Sequence, residues 1–209
     1  MTAQPCDAVL CDLDGVIRHY DLGKVHRLEA IAGIDLDTTM ELAFAPERDL
    51  PLLLGQISRM QWTASIAEAL TALTTRELAE QLAREFAYAP SRTDQEVVEL
   101  IRELRKRVPV VLVTNATVWL DDDLDALGLA DLADDVVNSS IVQIAKPDPR
   151  IYAIAADRAG VPAERCLFVD DSKDNIDAAR VSGMTAVHYR RFEDLHEAVM
   201  PLLTAVARG

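Results

Sequence analysis

The chain has 209 residues, half of them hydrophobic and 27% charged, which is enough apolar material for a sizeable core in one or two domains and excludes a disordered chain. Acids outnumber bases 35 to 21, a formal charge of −14; that surface repels nucleic acid and anionic membrane, so neither is an expected partner. Eight glycines and nine prolines are too few for a fibrous or low-complexity chain, and no apolar run approaches the roughly 18 residues of a membrane helix.

The N-terminal stretch has no basic region followed by a long apolar one, and it carries an acid by Asp7. A signal or transit peptide is therefore not expected, and the expected address is the cytoplasm. Cys6, Cys11 and Cys166 have no metal-site spacing, and their odd number argues against a disulfide framework. Each lies beside a strand-like run, so all three read as small buried hydrophobes in a reducing compartment.

The first element is a strand within residues 8–16, a short apolar run that ends in acids and a glycine. Residues 20–91 then show no convincing strand. Helices are predicted over 22–33 and 38–45, and over 66–89 as two helices split at Thr74 and Thr75, with Thr75 as an N-cap. Pro46 and Pro51 break the middle of this stretch. Roughly 70 residues of helix are too many for a loop and must pack as their own small bundle. The predicted domains are therefore 1–19 with 92–209, and 20–91 inserted between them.

From residue 92 onward strands and helices alternate. Residues 94–107 place Val97, Leu100, Ile101 and Leu104 on one helical face, with basic residues closing the helix. A strand follows over 109–115, and a helix over 117–127 that Gly128 stops. Asp121–Asp123 reads as its solvated start. A weaker strand is expected over 135–140 and a helix over 148–159, stopped by Gly160. Further strands are expected over 166–172 and 184–189, with helices over 173–182 and 192–206. Continuous apolar runs rather than alternating ones indicate strands buried on both faces. The predicted class is α/β, a doubly wound parallel sheet of the Rossmann-like kind, with an inserted helical domain.

Three predicted strands end in polar residues, at the sheet edge where open α/β folds bind ligands. The first ends in Asp12-Leu13-Asp14-Gly15-Val16, the second in Thr114-Asn115 and the fourth in Asp170-Asp171-Ser172. Lys146 lies in a loop stiffened by Pro147 and Pro149. If the strands are neighbours, four carboxylates converge, and they repel one another unless a cation is present. Oxygen ligands with no His or Cys cluster suit Mg²⁺. The metal would make an acidic cleft attractive to a phosphate, Lys146 would add a second positive charge, and Thr114 and Asn115 would supply neutral donors. One acid of Asp12-x-Asp14 can attack phosphorus while the other handles the proton of the leaving oxygen. Each piece alone is ordinary: a turn, a helix cap, a surface lysine. Their order, each after a strand, is what points to chemistry.

That ordered set resembles the four motifs of the haloacid dehalogenase-like (HAD) hydrolase superfamily over nearly the whole chain. The inserted helices resemble the C1 cap of its subfamily I, as do residues 146–152 and the stretch from Ala178 to Met184. The resemblance implies Asp12 as nucleophile, giving an aspartyl-phosphate. It implies Asp14 as general acid and base, with its carbonyl on Mg²⁺, and Thr114 and Asn115 holding phosphoryl oxygens. Lys146 would bridge nucleophile and phosphate. Asp12, Asp14, Asp170 and Asp171 would hold the metal, with Asp171 favoured over Asp170 as the direct ligand and Ser172 and Asn175 supporting them. Dehalogenases of the family lack an acid at the position of Asp14, since no leaving oxygen needs a proton. Phosphonate cleavage in the family uses a cap lysine, and residues 20–91 offer only Lys24, early in the cap.

Arg18, His19 and Tyr20 stand where the family's mobile flap lies; they are candidates for contact with a leaving group, or else a solvated hinge. Gln56, Arg48 and Arg59 are candidates for reading the substrate. Trp62 and Trp119 are expected to fill core space. The expected function is a Mg²⁺-dependent phosphatase of a small phosphorylated metabolite, acting as monomer or homodimer. The alternatives are a sugar phosphomutase with the same motifs and a catalytically silent regulatory protein on the same scaffold.

Overall fold

The computed structural model describes residues 6–204. The chain opens with β1 (Ala8–Cys11) and β2 (Arg18–Tyr20). Five helices follow: α1 (Gly23–Ala32), α2 (Thr38–Ala43), α3 (Pro46–Leu53), α4 (Arg59–Leu70) and α5 (Arg76–Ala87). After β3 (Ser91–Thr93) come α6 (Gln95–Arg105), β4 (Val110–Thr114), α7 (Leu120–Leu127), β5 (Asp135–Asn138), α8 (Ser139–Val142) and α9 (Pro149–Ala159). The chain then runs through β6 (Cys166–Asp170), α10 (Lys173–Val181), β7 (Thr185–His188) and α11 (Phe192–Thr204). It divides into two compact units, Met1–His19 with Thr93–Gly209, and Tyr20–Arg92.

The first unit is built on a five-stranded parallel sheet in the order β5-β4-β1-β6-β7. Alternation along each strand divides its side chains between two cores. Val9, Cys11, Val110, Leu112, Leu167 and Val169 join Val97, Ile101 and Leu104 of α6, Leu120 and Leu124 of α7, and Leu195 and Val199 of α11. On the other face Ala8, Leu10, Val111, Val113 and Phe168 meet Ile151, Tyr152 and Ala155 of α9 and Ile176 and Ala179 of α10. Helices on both faces explain why the strands read as unbroken apolar runs. Each fully buried Leu or Phe here contributes roughly 1.5–3 kcal/mol. Tyr152 is buried as well, edge-on to Phe168 at 5.2 Å, and its hydroxyl donates to the Asn175 carbonyl at 3.0 Å.

The second unit is helical. Trp62, Ile66 and Leu70 of α4 face Ala79, Leu82, Ala83 and Phe86 of α5, with Val25, Leu28, Ala43 and Leu52 beside them. Ser58 and Gln61 form a capping box that starts α4, and Thr75 caps α5 by accepting from the Leu78 N–H. Glu29 is buried because its two oxygens accept from the backbone N–H groups of Asp37 and Thr39, satisfying the start of α2. Among the described residues no helix is long and apolar enough to cross a membrane.

Several elements differ from the sequence reading. The expected absence of strands across residues 20–91 fails at the edges, where β2 and β3 pair; three residues are too few to show a period. Pro46 and Pro51 do not break the middle, because both lie in α3. Pro46 occupies the first turn, where no N–H is needed, and the helix continues past Pro51 through the bond from the Leu54 N–H to the Leu50 carbonyl. The weak strand over 135–140 gives way at Ser139 to the short helix α8, since Asn138 caps it by accepting from the Ser140 N–H. α4 begins at Arg59, well ahead of the expected start. Trp119 is only half-buried and precedes α7, whereas Trp62 is in the core. Residues 205 and 206, expected in the last helix, lie outside the described residues. Cys11 and Cys166 are buried, and Cys6 is partly exposed.

Candidate active site

Register places the polar strand ends together. Cys11 pairs with Leu112 of β4 on one side and Val169 of β6 on the other. Asp12, Thr114 and Asp170 therefore leave three adjacent parallel strands at the same edge. Crossover helices fill the space below, which forces these side chains into the crevice at the carboxyl ends of the strands.

The centre of the site is Lys146. Its Nζ lies 2.8 Å from Asp12 Oδ2 and 2.7 Å from Asp170 Oδ2, and all three side chains are buried. Burial alone would favour the neutral amine, but the two carboxylates outweigh it and hold Lys146 protonated above its ordinary range. One cation cannot satisfy both acids. Burial pushes the Asp12 carboxyl up to about 8, with Lys146 opposing and Asp170 adding to the rise. Asp12 Oδ1 also accepts from the Leu13 N–H at 2.7 Å.

Asp170 is fully occupied. Oδ1 accepts from the Ser172 N–H and from Asn175 Nδ2, and Oδ2 accepts from Lys146 and from the same Asn175 amide. Asp171 is more open, and burial with the nearby Asp170 charge raises its pKa. Carboxylate oxygens of Asp12, Asp170 and Asp171 lie within 4.8 Å of one another. Gly15 makes this possible: a Cβ there would sit 2.1 Å from Asp171 Oδ2, and its φ of +81° is one that L side chains rarely adopt. Three convergent carboxylate oxygens, which one lysine cannot neutralise, fit a hard divalent cation.

Thr114 and Asn115 separate in role. Thr114 Oγ1 is buried with no hydrogen-bond partner among the described residues, an arrangement that costs free energy unless a ligand accepts or donates there. The Asn115 side chain holds Lys146 by its backbone: Nδ2 donates one of its two N–H groups to the Lys146 carbonyl at 3.0 Å, and Oδ1 accepts from the Lys146 N–H at 2.7 Å. Ser139 fixes the next residue, accepting from the Ala116 N–H and donating to the Ala116 carbonyl.

Asp14 stands apart from the three clustered acids and is gripped by Arg18, whose Nε and Nη2 donate to its two oxygens at 2.6 and 2.9 Å. Arg18 is buried rather than a solvated hinge; a guanidinium gripped by paired carboxylates can leave water. Sequence reasoning missed this role because a charged residue after a turn reads as exposed.

The substrate-reading candidates of the helical unit have local partners. Arg48 donates to the Leu42 carbonyl and to Glu47, Arg59 lies over the Tyr88 ring, and Gln56 is exposed. Lys24 pairs with Glu85 at 2.7 Å. A cleft of about 830 Å³ is lined by residues of this unit alone and mixes Arg76 and Arg84 with Glu80 and Glu85. It lacks the convergent buried groups seen at Lys146.

Residues 6–183 match the family model described as haloacid dehalogenase-like hydrolase. The chain is 26% identical over 213 aligned positions to phosphatase MT3486 of Mycobacterium tuberculosis, covering 95% of this chain and 94% of that protein. It is 36% identical over 83 residues to phosphoglycolate phosphatase of Escherichia coli, 39% of this chain and 33% of that protein. A HAD family enzyme from Bacteroides thetaiotaomicron, solved with magnesium and inorganic phosphate, superposes with a TM-score of 0.68 at 19% identity, covering 92% of this chain and 98% of that one. That likeness speaks for the fold.

Proposed function

The chain belongs to the haloacid dehalogenase-like hydrolases, and from that premise we propose that it is a Mg²⁺-dependent phosphatase of small phosphorylated metabolites. The observation that carries this reading is the convergence, on one sheet edge, of Asp12, Lys146, Asp170 and Asp171 with the unpartnered hydroxyl of Thr114. The naming of MT3486 as a phosphatase supports it.

Asp12 is the nucleophile in this proposal. Its Oδ attacks phosphorus, the bond from phosphorus to the alcohol oxygen breaks, and Asp14 gives that oxygen a proton. Asp14 then takes a proton from water, whose oxygen attacks the aspartyl-phosphate and restores Asp12. Lys146 balances charge on the nucleophile and the phosphoryl oxygens, and Thr114 donates to one of them. Asp12, Asp171 and the carbonyl of Asp14 would hold Mg²⁺, with Asp170 behind them. When bound, the ion neutralises phosphate charge and relieves the repulsion among these acids. Asp14 distinguishes this chemistry from halide displacement, where no leaving oxygen needs a proton. The inserted helical unit is proposed as the cap domain.

The test is phosphate release from a panel of phosphorylated metabolites, with Mg²⁺ and with EDTA. Release that needs the metal and falls at least about 10³-fold in Asp12→Asn, with the circular dichroism spectrum kept, supports the reading. Isomerised sugar phosphate without free phosphate would replace it with a mutase. Mg²⁺ binding with no turnover on any substrate would replace it with a silent scaffold.

A further inference from the structure

Arg18 is buried to 4% exposure at the end of a loop that leaves the site. The backbone explains how. The Gly15 N–H donates to the Arg18 carbonyl at 2.9 Å, and the N–H groups of Ile17 and Arg18 both donate to the Leu13 carbonyl at 2.8 Å. A bridge pairs Asp14 with Arg18 directly. Leu13, Val16 and Ile17 are fully buried and pin the turn to the core. Side chains 14 and 18 are thereby brought side by side by a loop that packing holds in place.

The guanidinium donates to two carboxylates. Nε and Nη2 grip both oxygens of Asp14, and Nη1 donates to Asp123 Oδ2 at 3.1 Å in the first turn of α7. Asp14 is a third exposed while Arg18 is not. Arg18 is therefore the buried partner of the pair and Asp14 the one open to solvent. A fork of this kind fixes the plane and rotation of a carboxylate, which a lysine's single nitrogen does not. A buried charge is costly unless its partners are complete, so the loop has a physical reason to stay in this form.

We propose that Arg18 is a positioning residue for proton transfer by Asp14, and that Asp123 anchors Arg18 in turn. This rests on the reading of Asp14 as general acid. Each Asp14 oxygen accepts one bond from Arg18 and keeps a second lone pair for the proton it transfers; fixing the plane of the group fixes that direction, and loss of alignment costs rate without loss of the acid itself.

The test uses the alkyl-to-aryl ratio of kcat/KM, with glycerol phosphate and p-nitrophenyl phosphate as probes. An alkoxide needs a proton to depart and a nitrophenolate needs little help. kcat/KM reports steps up to departure of the alcohol, so hydrolysis of the phosphoenzyme does not enter. Arg18→Gln is expected to lower the ratio at least about tenfold, in the direction of Asp14→Asn, since general acid catalysis carries about 10²–10⁴ of the rate. Arg18→Lys and Asp123→Asn, which keep a charge or an acceptor, are expected to fall between wild type and Arg18→Gln, and they serve if Arg18→Gln does not fold. An unchanged ratio in the folded Arg18 variants, while Asp14→Asn lowers it, overturns the assignment of Arg18 alone. An unchanged ratio in Asp14→Asn overturns the acid reading and the proposal with it.

Discussion

Asn115 holds Lys146 by its backbone at both ends of one amide, accepting from its N–H at 2.7 Å and donating to its carbonyl at 3.0 Å. The two residues lie 31 positions apart, and the clamp aims the Lys146 side chain at Asp12 and Asp170. Asn115→Ala should therefore lower kcat/KM by about 10–100-fold through a misplaced lysine, and stability by about 1–2 kcal/mol for the lost bonds. Phosphate-release kinetics together with urea denaturation would check both. Full activity in a destabilised variant would show that Lys146 is held without the clamp.

Gly15 is the point where the first loop passes under Asp171. Gly15→Ala puts a methyl group 2.1 Å from Asp171 Oδ2 at a φ of +81°. The carboxylate has to move, and the backbone is strained as well. The expected loss is about 1–3 kcal/mol of stability and at least about tenfold in Mg²⁺ affinity, following the cost of disturbing groups at a metal site. Isothermal titration with MgCl₂ would show it. Unchanged affinity would remove Asp171 from the metal site.

Thr114 should separate stability from activity. Its hydroxyl is buried and unpartnered, so Thr114→Val removes an unsatisfied group at nearly constant shape. Stability should hold or rise by about 0–1 kcal/mol, while kcat/KM falls about 10²-fold if the hydroxyl meets a phosphoryl oxygen. Thr114→Ser should retain most of the activity. A variant that loses stability and keeps activity would mark the hydroxyl as structural.

The site was legible in the sequence to the extent that it hangs on the sheet. β1, β4 and β6 print continuous apolar runs because helices cover both faces, and the first polar residue after each run is necessarily at the edge. Contacts that cross the chain left no such mark. Nothing near Asn115 shows that its amide turns to Lys146, and nothing near Arg18 shows that Asp123 awaits it 105 residues later. α4 was seen only in part. Its apolar residues are spread around the helix, since it packs against α2, α3 and α5 at once, and a one-sided stripe is the signal that periodicity detects. α3 was hidden by its prolines, although one of them stands where a helix start tolerates it.

Asp49 in α3 gives a pH test separate from the clustered acids Asp12, Asp170 and Asp171. Burial raises its carboxyl to about 6 from the ordinary value near 4. A raised carboxyl binds its proton more tightly in the folded chain than in the unfolded one. Its contribution to stability is thus greatest below about pH 4 and is lost as pH climbs through about 6. A shift of this size corresponds to about 3 kcal/mol, and partial exposure reduces that to about 1–2 kcal/mol. Asp49→Asn removes the titration while keeping the shape. Relative to wild type the variant should gain about 1–2 kcal/mol at pH 7 and nothing at pH 4, so the difference in Tm should open between those values. A difference in Tm that stays constant from pH 4 to pH 7 would show that Asp49 titrates in the folded protein as it does in the unfolded chain.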